Sequence, residues 1–169
     1  ENPDLSLMLA GVRDSKQMTP GSRARLINAI KLYAAAWGVG SASNDEIDTL
    51  GIVPATCLAM RRALENATRT IQPDYLMIDS IRCADMPEWG APYESIIRGD
   101  RLSLSIAAAS VLAKVSRDET MRDFHLKYPV YGFDHHKGYG TAQHLAAIRE
   151  HGTCAIHRMS FAPMRQDLP

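Results

Sequence analysis

The stretch that most constrains the fold is residues 96–118, with the sequence IIRGDRLSLSIAAASVLAKVSRD. In it a short apolar run ends at Gly99-Asp100, and a long segment with helical periodicity follows. One face of the predicted helix is apolar and consists of Leu104, Ala108, Val111 and Val115. A second face repeats this spacing with Ser110, Lys114 and Arg117. A carboxylate beside such a hydroxyl and cation face is suited to binding a phosphodiester, although a core helix with solvated charges gives the same pattern.

The rest of the chain predicts helices that alternate with short strands. Capping residues mark three helix starts, namely Thr19 before Pro20, Ser43 with Glu46 three residues later, and Thr141. Helices are expected at 20–36, 44–51, 54–70, 102–128 and 142–151, and strands at 37–42, 75–78 and 94–98. Residues 75–78 are apolar on both faces, which predicts a central strand covered on both sides. This order of elements indicates an α/β fold with helices packed on a small sheet.

The length of 169 residues is sufficient for one domain with its own core, so residues 1–169 are expected to form a single domain. The net charge is zero, but residues 1–94 contain 9 Lys/Arg and 12 Asp/Glu, whereas residues 95–169 contain 10 and 7. All six histidines lie in the second part. This asymmetry is compatible with a basic surface that faces an acidic metal site, but it also occurs in proteins that bind nothing anionic.

Cysteine spacing and hydropathy give expectations about the compartment. Cys57, Cys83 and Cys154 are far apart and form no CxxC motif, so neither a disulfide framework nor a zinc site is expected, and a reducing cytoplasm fits. No apolar run approaches the roughly 18 residues of a membrane span, and no signal sequence opens the chain. The first residue is Glu1 and not Met, from which we expect that the front of the protein is missing.

Two aspartates are the main candidates for chemistry. Asp79 follows the apolar run 75–78, and Asp100 follows the predicted strand 94–98. Strand ends of this kind are where open α/β sheets usually place their sites. A carboxylate pair there can hold a hard divalent cation together with water and substrate phosphate. Either aspartate alone would be explained as a helix cap or a turn residue.

Other polar residues have both a functional and a structural explanation. Tyr139 stands between two glycines, so its ring could stack on a sugar or base, or could be tucked beneath a glycine-rich turn. The histidines at 135–136 have no partners at metal-ligand spacing, which favours a loop role. The cluster DSK at 14–16 fits either a phosphate contact or an Asx turn. His157 and Arg158 remain without an assigned role.

Five sequence phrases stand out by their order and spacing: DSK (14–16), YLMIDS (75–80), RGDRLSLSIAAASVLAKVSRD (98–118), YPVYGFDHHKGYGT (128–141) and IHRMSFAP (156–163). Together they closely resemble bacterial type 2 ribonuclease H, ribonuclease HII, over nearly the whole chain. The resemblance implies a ribonuclease H-like α/β fold with helices packed on a small mixed sheet. It also implies cleavage of the RNA strand of RNA–DNA hybrids, and of single ribonucleotides embedded in duplex DNA, with Mn²⁺ or Mg²⁺.

The resemblance also implies roles for individual residues. Asp79 matches the family's third acidic metal ligand and Asp100 its fourth, in a two-metal mechanism of phosphodiester hydrolysis. Tyr139 matches the tyrosine that packs against the ribose at the RNA–DNA junction. Four further positions match residues along the nucleic-acid path, namely Ser15, Lys16, Ser110 and Lys114. A monomeric, cytoplasmic enzyme is expected.

The chain departs from the family pattern in two places. Family members open with an Asp-Glu pair followed by Gly-Arg-Gly, which supplies the first two metal ligands, and no equivalent precedes Asp14. We therefore expect the first strands of the family fold to be absent, and residues 1–169 alone to fold poorly or self-associate and not to cleave with Mn²⁺. The second departure is Ser80, where bacterial members usually have glycine. The loop that follows, residues 81–92, is also unlike the usual loop of the family.

Two other functions are compatible with the same residues. A paralogue that lacks the Asp-Glu pair would bind hybrids without cutting them, and the sequence upstream of Glu1 would separate this case from the enzyme. An α/β interaction protein without a nucleic-acid role is the other, and a hybrid titration without salt dependence would favour it.

Overall fold

The computed structural model describes residues 7, 9–12, 15, 18–81, 89–161 and 164. The helices are α1 Pro20–Tyr33, α2 Asn44–Leu50, α3 Ile52–Ala67, α4 Gly99–Leu102, α5 Leu104–Lys127, α6 Phe133–His136 and α7 Ala142–His151. The strands are β1 Leu76–Asp79 and β2 Tyr93–Ile96, and a 3₁₀ helix spans Pro129–Tyr131. None of the helices in the described ranges has both the length and the apolarity needed to cross a membrane.

Local capping signals set the helix starts, as predicted. The Thr19 side chain accepts a backbone hydrogen bond in the first turn of α1. Ser43 and Glu46 form the reciprocal capping box of α2, with bonds of 3.1 and 2.8 Å. Thr141 caps α7 in the same way as Thr19 caps α1. Each cap satisfies backbone donors that a helix start otherwise leaves unpaired, so these boundaries depend only on residues nearby in sequence.

The two described strands form a parallel pair in which Asp79 lies opposite Ile96. Both strands lie within two residues of their predicted positions. The prediction that β1 is covered on both faces is wrong for its described residues, because Met77 is 43% exposed whereas Ile78 is buried. A short continuous apolar run does not distinguish a central strand from one with a single covered face.

Residues 37–42 do not form a strand, contrary to the prediction. Backbone carbonyls of this segment accept hydrogen bonds from the side chains of Arg62 and Asn66 on α3, at 2.8 and 3.0 Å. A Cβ atom on Gly40 would lie 2.1 Å from a backbone carbonyl oxygen of the same helix. The small residues therefore indicated a close backbone neighbour correctly, but that neighbour is a helix and not a strand.

The chain divides into two compact units, the first consisting of Glu1–Ser41 with Thr56–Val115 and the second of Ala42–Ala55 with Ser116–Pro169. The buried apolar cluster of the first unit consists of Leu9, Met18, Ile30, Val111 and Leu112. That of the second consists of Met121, Tyr131, Phe133, Ala147 and Ile148. The predicted buried face of the long helix is confirmed, since Leu104, Ala108 and Val115 pack against the first cluster. The single domain stays a prediction.

One cysteine departs from the expected chemistry. Cys57 is buried and disulfide-bonded, whereas Cys154 is a free thiol. The cysteine spacing implied no disulfide framework, yet Cys57 is disulfide-bonded, because pairing depends on which side chains meet in the folded chain.

Candidate active site

Asp79 is the last residue of β1 and lies at the C-terminal edge of the strand pair. Its Oδ1 atom accepts hydrogen bonds from the Gly99 N–H at 2.9 Å and from the Ser80 hydroxyl at 3.1 Å. Gly99 is the first residue of α4, and Asp100 is the second. The structure thus holds the Asp79 carboxylate beside the start of the helix that contains Asp100, while their role as metal ligands stays a prediction.

Two residues with left-handed backbone conformation shape this edge, Ser80 with φ 52° and Arg98 with φ 57°. The Ser80 N–H donates to the Ile96 carbonyl, and the Ser80 Oγ accepts from the Arg98 N–H, both at 3.0 Å. These bonds tie the end of β1 to the end of β2. A non-glycine residue with positive φ is strained. This strain is a physical reason why members of the family that the chain resembles usually have glycine at the position of Ser80.

Gly99 lets α4 approach β1 closely. It is buried, and a Cβ atom built on it would lie 2.5 Å from Cδ1 of Ile106 and 3.6 Å from Oδ1 of Asp79. A larger residue would require Ile106 to move. The small residue at this position therefore supports the short hydrogen bond between the α4 backbone and the Asp79 carboxylate.

The aspartate pair has the donor chemistry of a hard-cation site. Asp79 and Asp100 are both partly exposed, so water and a phosphate can reach them. Magnesium in proteins commonly takes one or two carboxylates and completes its shell with water and substrate oxygen. Across the described ranges, no group of three His, Cys, Asp or Glu side chains could surround a metal ion. The pair therefore fits part of an open coordination shell, not a closed site.

Two residues predicted to contact nucleic acid, Ser110 and Lys114, lie on one face of α5. Ser110 and Lys114 are both partly exposed. The Ser110 hydroxyl donates to the Ala107 carbonyl at 2.8 Å, so its proton is used within the helix and its oxygen can still accept a hydrogen bond. Both residues stay predicted contacts along the nucleic-acid path.

The candidate contacts near the N-terminus have a different environment. Ser15 is buried, and its carbonyl accepts a hydrogen bond from the Arg23 guanidinium at 2.8 Å. Lys16 and Asp14 lie outside the described residues. A side-chain contact from Ser15 stays a prediction, and its burial favours a role in shaping the loop.

Tyr139 belongs to the second unit and combines a fixed backbone with an open ring. Its side chain is 61% exposed, so the ring is not tucked beneath the turn. Its N–H donates to the His136 carbonyl at 2.9 Å. Its own carbonyl accepts from the Thr141 N–H at 2.8 Å and from His144 Nδ1 at 3.0 Å. The arrangement presents an exposed aromatic ring on a hydrogen-bonded backbone, and this ring could stack on a sugar or base.

Two arginines of the second unit are further candidates for phosphate contact, Arg117 from the polar face of the long helix and Arg158, which received no role from the sequence. Arg117 donates to the Lys137 carbonyl at 3.4 Å, two residues before Tyr139. Burial and the neighbouring Arg117 charge lower the pKa of Arg158, and attraction to Asp48 opposes this shift. Two guanidinium groups that repel each other would be stabilised by an anion such as a phosphate. Arg117 was visible as part of the polar face of the long helix, whereas the neighbours of Arg158 come from distant segments.

Asp48 fixes the segment that contains Arg158. Its carboxylate accepts hydrogen bonds from the Met159 N–H at 2.7 Å, the Ser160 N–H at 3.0 Å and the Ser160 hydroxyl at 2.5 Å. The Ser160 hydroxyl bond is the main reason that the pKa of Asp48 is lowered, although burial opposes it. The carboxylate is therefore ionised at neutral pH and anchors this turn.

The family model of ribonuclease HII matches residues 1–164 of the chain. The chain belongs to the ribonuclease HII family. Its curated relatives include ribonuclease HII of Burkholderia pseudomallei (strain 1710b), which is 49% identical over 158 residues, or 94% of this chain and 72% of the relative. Ribonuclease HII of Thiobacillus denitrificans is 48% identical over 157 residues, or 93% of this chain and 74% of the relative.

A solved structure gives the fold of this ribonuclease HII family member independently. The crystal structure of the ribonuclease H2 from Pyrococcus horikoshii OT3 is similar with a TM-score of 0.68 and 22% identity, covering 96% of this chain and 81% of that one. The predicted ribonuclease H-like α/β fold is therefore confirmed. Family membership makes the chain a ribonuclease H-type hydrolase of a family that generally depends on divalent metal.

Proposed function

We propose that this ribonuclease HII family member is an endoribonuclease that cuts the RNA strand of RNA–DNA hybrids and single ribonucleotides embedded in duplex DNA. The observation that supports this most directly is the Asp79 carboxylate, held at the C-terminal edge of the strand pair by the Gly99 N–H, next to Asp100. Carboxylates at such an edge, in a chain of this family, have the position and the chemistry of metal ligands.

Asp79 and Asp100 are the proposed ligands, and Mn²⁺ or Mg²⁺ the proposed ions. When bound, a pair of divalent ions supplies an activated water and stabilises the leaving 3′-oxygen. The task of the chain is to orient the carboxylates. The Gly99 N–H and the Ser80 hydroxyl bond the same oxygen of Asp79, which restricts rotation of that carboxylate.

Recognition of the ribonucleotide is assigned to Tyr139. Its exposed ring offers a flat surface, and stacking of this kind is worth about 1–3 kcal/mol per base. The 2′-hydroxyl is the group that distinguishes RNA from DNA at a given site. The Tyr139 ring, packed against the ribose, would therefore bind a ribonucleotide and a deoxyribonucleotide with different affinity.

Phosphate contacts are assigned to polar residues of both units. Lys114 and Ser110 on α5, with Ser15 and Lys16 by resemblance alone, are the proposed contacts of the first unit. Arg117 and Arg158 are added here for the second, because their mutual repulsion would be relieved by a bound phosphate. Binding through such contacts should weaken as salt is raised.

A hybrid-binding protein that does not cut is the second candidate. It is favoured by one observation, that the described residues offer two carboxylates at the sheet edge and no group of three metal-binding side chains. Such a protein would retain the Tyr139 surface and the basic contacts and would lack turnover. The proposed enzyme is monomeric and cytoplasmic.

A cleavage assay with matched duplexes tests the proposal. Two labelled duplexes of one sequence, all-DNA and with a single ribonucleotide, are incubated with Mn²⁺ or with EDTA. The proposal predicts one cut at the ribonucleotide in Mn²⁺, none in EDTA and none in the all-DNA duplex. Preferential binding of the ribonucleotide duplex without cutting would favour the second candidate, and neither binding nor cutting would contradict both.

A further inference from the structure

Three buried histidines meet behind the Tyr139 backbone. His136 is the last residue of α6, His144 lies in the first turn of α7, and His157 follows α7. The rings of His136 and His144 stack with centroids 4.3 Å apart, and Phe133 lies edge-on to both. No metal-binding group of three side chains was found in the described ranges, so the cluster requires another explanation.

The environment of His157 fixes which of its nitrogens has the proton. The Cys154 N–H donates to His157 Nδ1 at 2.9 Å, and the Cys154 sulfur lies 3.2 Å from the same nitrogen. Burial raises the pKa of the Cys154 thiol, so the sulfur is protonated at neutral pH. The Cys154 carbonyl oxygen also lies 3.3 Å from Nδ1, but the shorter contact is the bond from the Cys154 N–H, so Nδ1 is an acceptor and the ring proton of a neutral His157 lies on Nε2.

The proton on His157 determines the state of His144. The two Nε2 atoms are 3.1 Å apart, so His157 Nε2–H donates and His144 Nε2 accepts. The proton of His144 is then on Nδ1, which donates to the Tyr139 carbonyl at 3.0 Å. The hydrogen bonds run in one direction, from the Cys154 backbone through the two rings to Tyr139, and each ring is neutral.

A further proton would break this chain of hydrogen bonds, because two N–H groups would then face each other. Burial lowers the pKa of both histidines, and the neighbouring His136 and His157 lower that of His144 further. The backbone hydrogen bonds to Tyr139 and to Cys154 oppose the shifts of the pKa of His144 and of His157, respectively. The titratable groups that face the pair from the packed elements are His136, Cys154 and Tyr131.

His136 supports the same loop from its other side. Its Nε2 atom donates to the Tyr131 carbonyl at 2.6 Å, and its Nδ1 atom accepts from the Gly138 N–H at 3.2 Å. Imidazole rings therefore bond the backbone on both sides of the Tyr139 side chain, at the Gly138 N–H and at the Tyr139 carbonyl. These bonds hold the backbone while the ring stays in solvent.

We propose that His144, oriented by His157, is a positioning residue for Tyr139, and that this neutral imidazole pair sets the direction in which the Tyr139 ring meets the ribose. The inference rests on the proposed function. A loop that is rigid before binding loses less conformational entropy when its ring stacks, so preorganisation raises affinity for the correct sugar.

Matched variants of two histidines in α7 test the positioning role. His144→Asn keeps an N–H donor at the place of Nδ1, whereas His144→Leu removes it. His151→Asn and His151→Leu are the controls, since His151 is exposed and outside the cluster. The readout is the ratio of affinities for the single-ribonucleotide and all-DNA duplexes, measured by fluorescence anisotropy in EDTA. We expect His144→Leu to lower this ratio about ten-fold, the effect of one lost buried hydrogen bond.

His144→Asn and the His151 variants show whether the hydrogen bond to the Tyr139 carbonyl is responsible for the effect. His144→Asn should stay within about three-fold of the wild type, because the donor to the Tyr139 carbonyl is kept. Both His151 variants should match the wild type. Equal losses for His144→Asn and His144→Leu, or a correctly folded His144→Leu with an unchanged ratio, would overturn the positioning role and leave the proposed function standing. A wild-type chain that binds both duplexes equally would overturn the positioning role as well, while the cleavage assay decides the proposed function separately.

Nitrogen-15 NMR of the histidine rings at neutral pH tests the tautomers without nucleic acid and without any variant. The expected spectrum has the proton on Nδ1 of His144 and on Nε2 of His157, with both rings neutral. A charged ring, or the opposite tautomer at either residue, would overturn the inference even where His144→Leu does not fold.

Discussion

Ser80 shows how one side chain compensates for an unfavourable backbone conformation. Its φ of 52° lies in the left-handed region, which costs a non-glycine residue roughly 1–2 kcal/mol. Its hydroxyl donates to Asp79 and accepts from the Arg98 N–H, so it links the two strand ends. Glycine would remove the strain and the two hydrogen bonds together.

This balance predicts an order of stability for two substitutions. Ser80→Ala keeps the strain and loses the hydrogen bonds, so it should lower the free energy of unfolding by about 0.5–1.5 kcal/mol. Ser80→Gly loses the same bonds and relieves the strain, so it should be more stable than Ser80→Ala by about 1 kcal/mol. Urea denaturation of the three proteins measures this. An alanine variant as stable as the glycine variant would show that the backbone strain has been misjudged.

At Tyr139 the prediction separates the ring from its hydroxyl. Tyr139→Ala should reduce cleavage at a single embedded ribonucleotide by about ten- to a hundred-fold, as expected for lost stacking. Tyr139→Phe should retain most of the activity, because the ring remains. The measurement is the cleavage rate with Mn²⁺ at limiting substrate. Equal losses in the two variants would assign the effect to the hydroxyl.

At the scale of elements, the contact of residues 37–42 with α3 depends on two glycines. A Cβ atom on Gly40 would lie 2.1 Å from the Ala59 carbonyl oxygen, and one on Gly38 would lie 2.3 Å from the Ala63 carbonyl oxygen. Because backbone atoms cannot move aside as a side chain can, Gly40→Ala should lower the free energy of unfolding by about 1–3 kcal/mol.

Gly21 provides the control for this prediction. It lies in the first turn of α1, and among the described residues no atom outside its chain neighbours and its own helix backbone lies within 4 Å of a Cβ built on it. Gly21→Ala should therefore leave stability unchanged or raise it by up to about 1 kcal/mol. The melting temperature of Gly40→Ala should fall below that of the wild type, and that of Gly21→Ala should equal or exceed it. A Gly40→Ala protein as stable as the wild type would mean that the segment does not lie against α3.

The same segment shows which elements a sequence can predict. The starts of α1, α2 and α7 were predicted correctly, because each cap is a local interaction of residues three apart. The strand at 37–42 was predicted wrongly, because a strand exists only where a partner offers backbone groups, and sequence spacing does not reveal the partner. The short helix α6 was missed for a related reason, since its four residues are too few to show a period.

The candidate site divides along the same line. Asp79 and Asp100 were predicted to lie at one sheet edge because each follows a predicted strand, and the structure places Asp79 at the end of β1 and Asp100 in α4, while their shared site stays a prediction. The pair of His144 and His157 was not, since its residues stand thirteen positions apart and meet only when the segment after α7 folds back. Positions set by regular elements could be predicted from the sequence, and contacts set by loop packing could not.

For the whole molecule, the buried histidines predict how stability depends on pH. The pKa values of His144 and His157 are lowered in the folded chain, chiefly by burial, from about 6.5 in the unfolded chain. The unfolded chain therefore binds more protons below this pH. The contribution of the pair to stability should be complete above about pH 6.5 and should be lost as the pH falls through the lowered values.

Urea denaturation at a series of pH values checks this dependence. Asp48 does not interfere between about pH 5 and 7.5, because its lowered pKa lies below the usual value of 3.8. The midpoint should be constant in the upper part of this range and should fall towards pH 5. His144→Asn, which has one titrating ring fewer, should show a smaller fall. A midpoint that rises on acidification would contradict the neutral pair.

If the Asp79 carboxylate holds a catalytic metal ion, Asp79→Asn should abolish metal-dependent cleavage. Asparagine keeps an acceptor for the Gly99 N–H and removes the charge that a divalent cation needs. Asp74→Asn, at an exposed position before β1, is the matched control. We measure Mn²⁺-dependent cleavage of the single-ribonucleotide duplex and, separately, affinity for a hybrid. Asp79→Asn should abolish cleavage and keep affinity within a few-fold, because binding rests on phosphate contacts, and Asp74→Asn should match the wild type. Wild-type turnover in Asp79→Asn would contradict the account and remove Asp79 from the site.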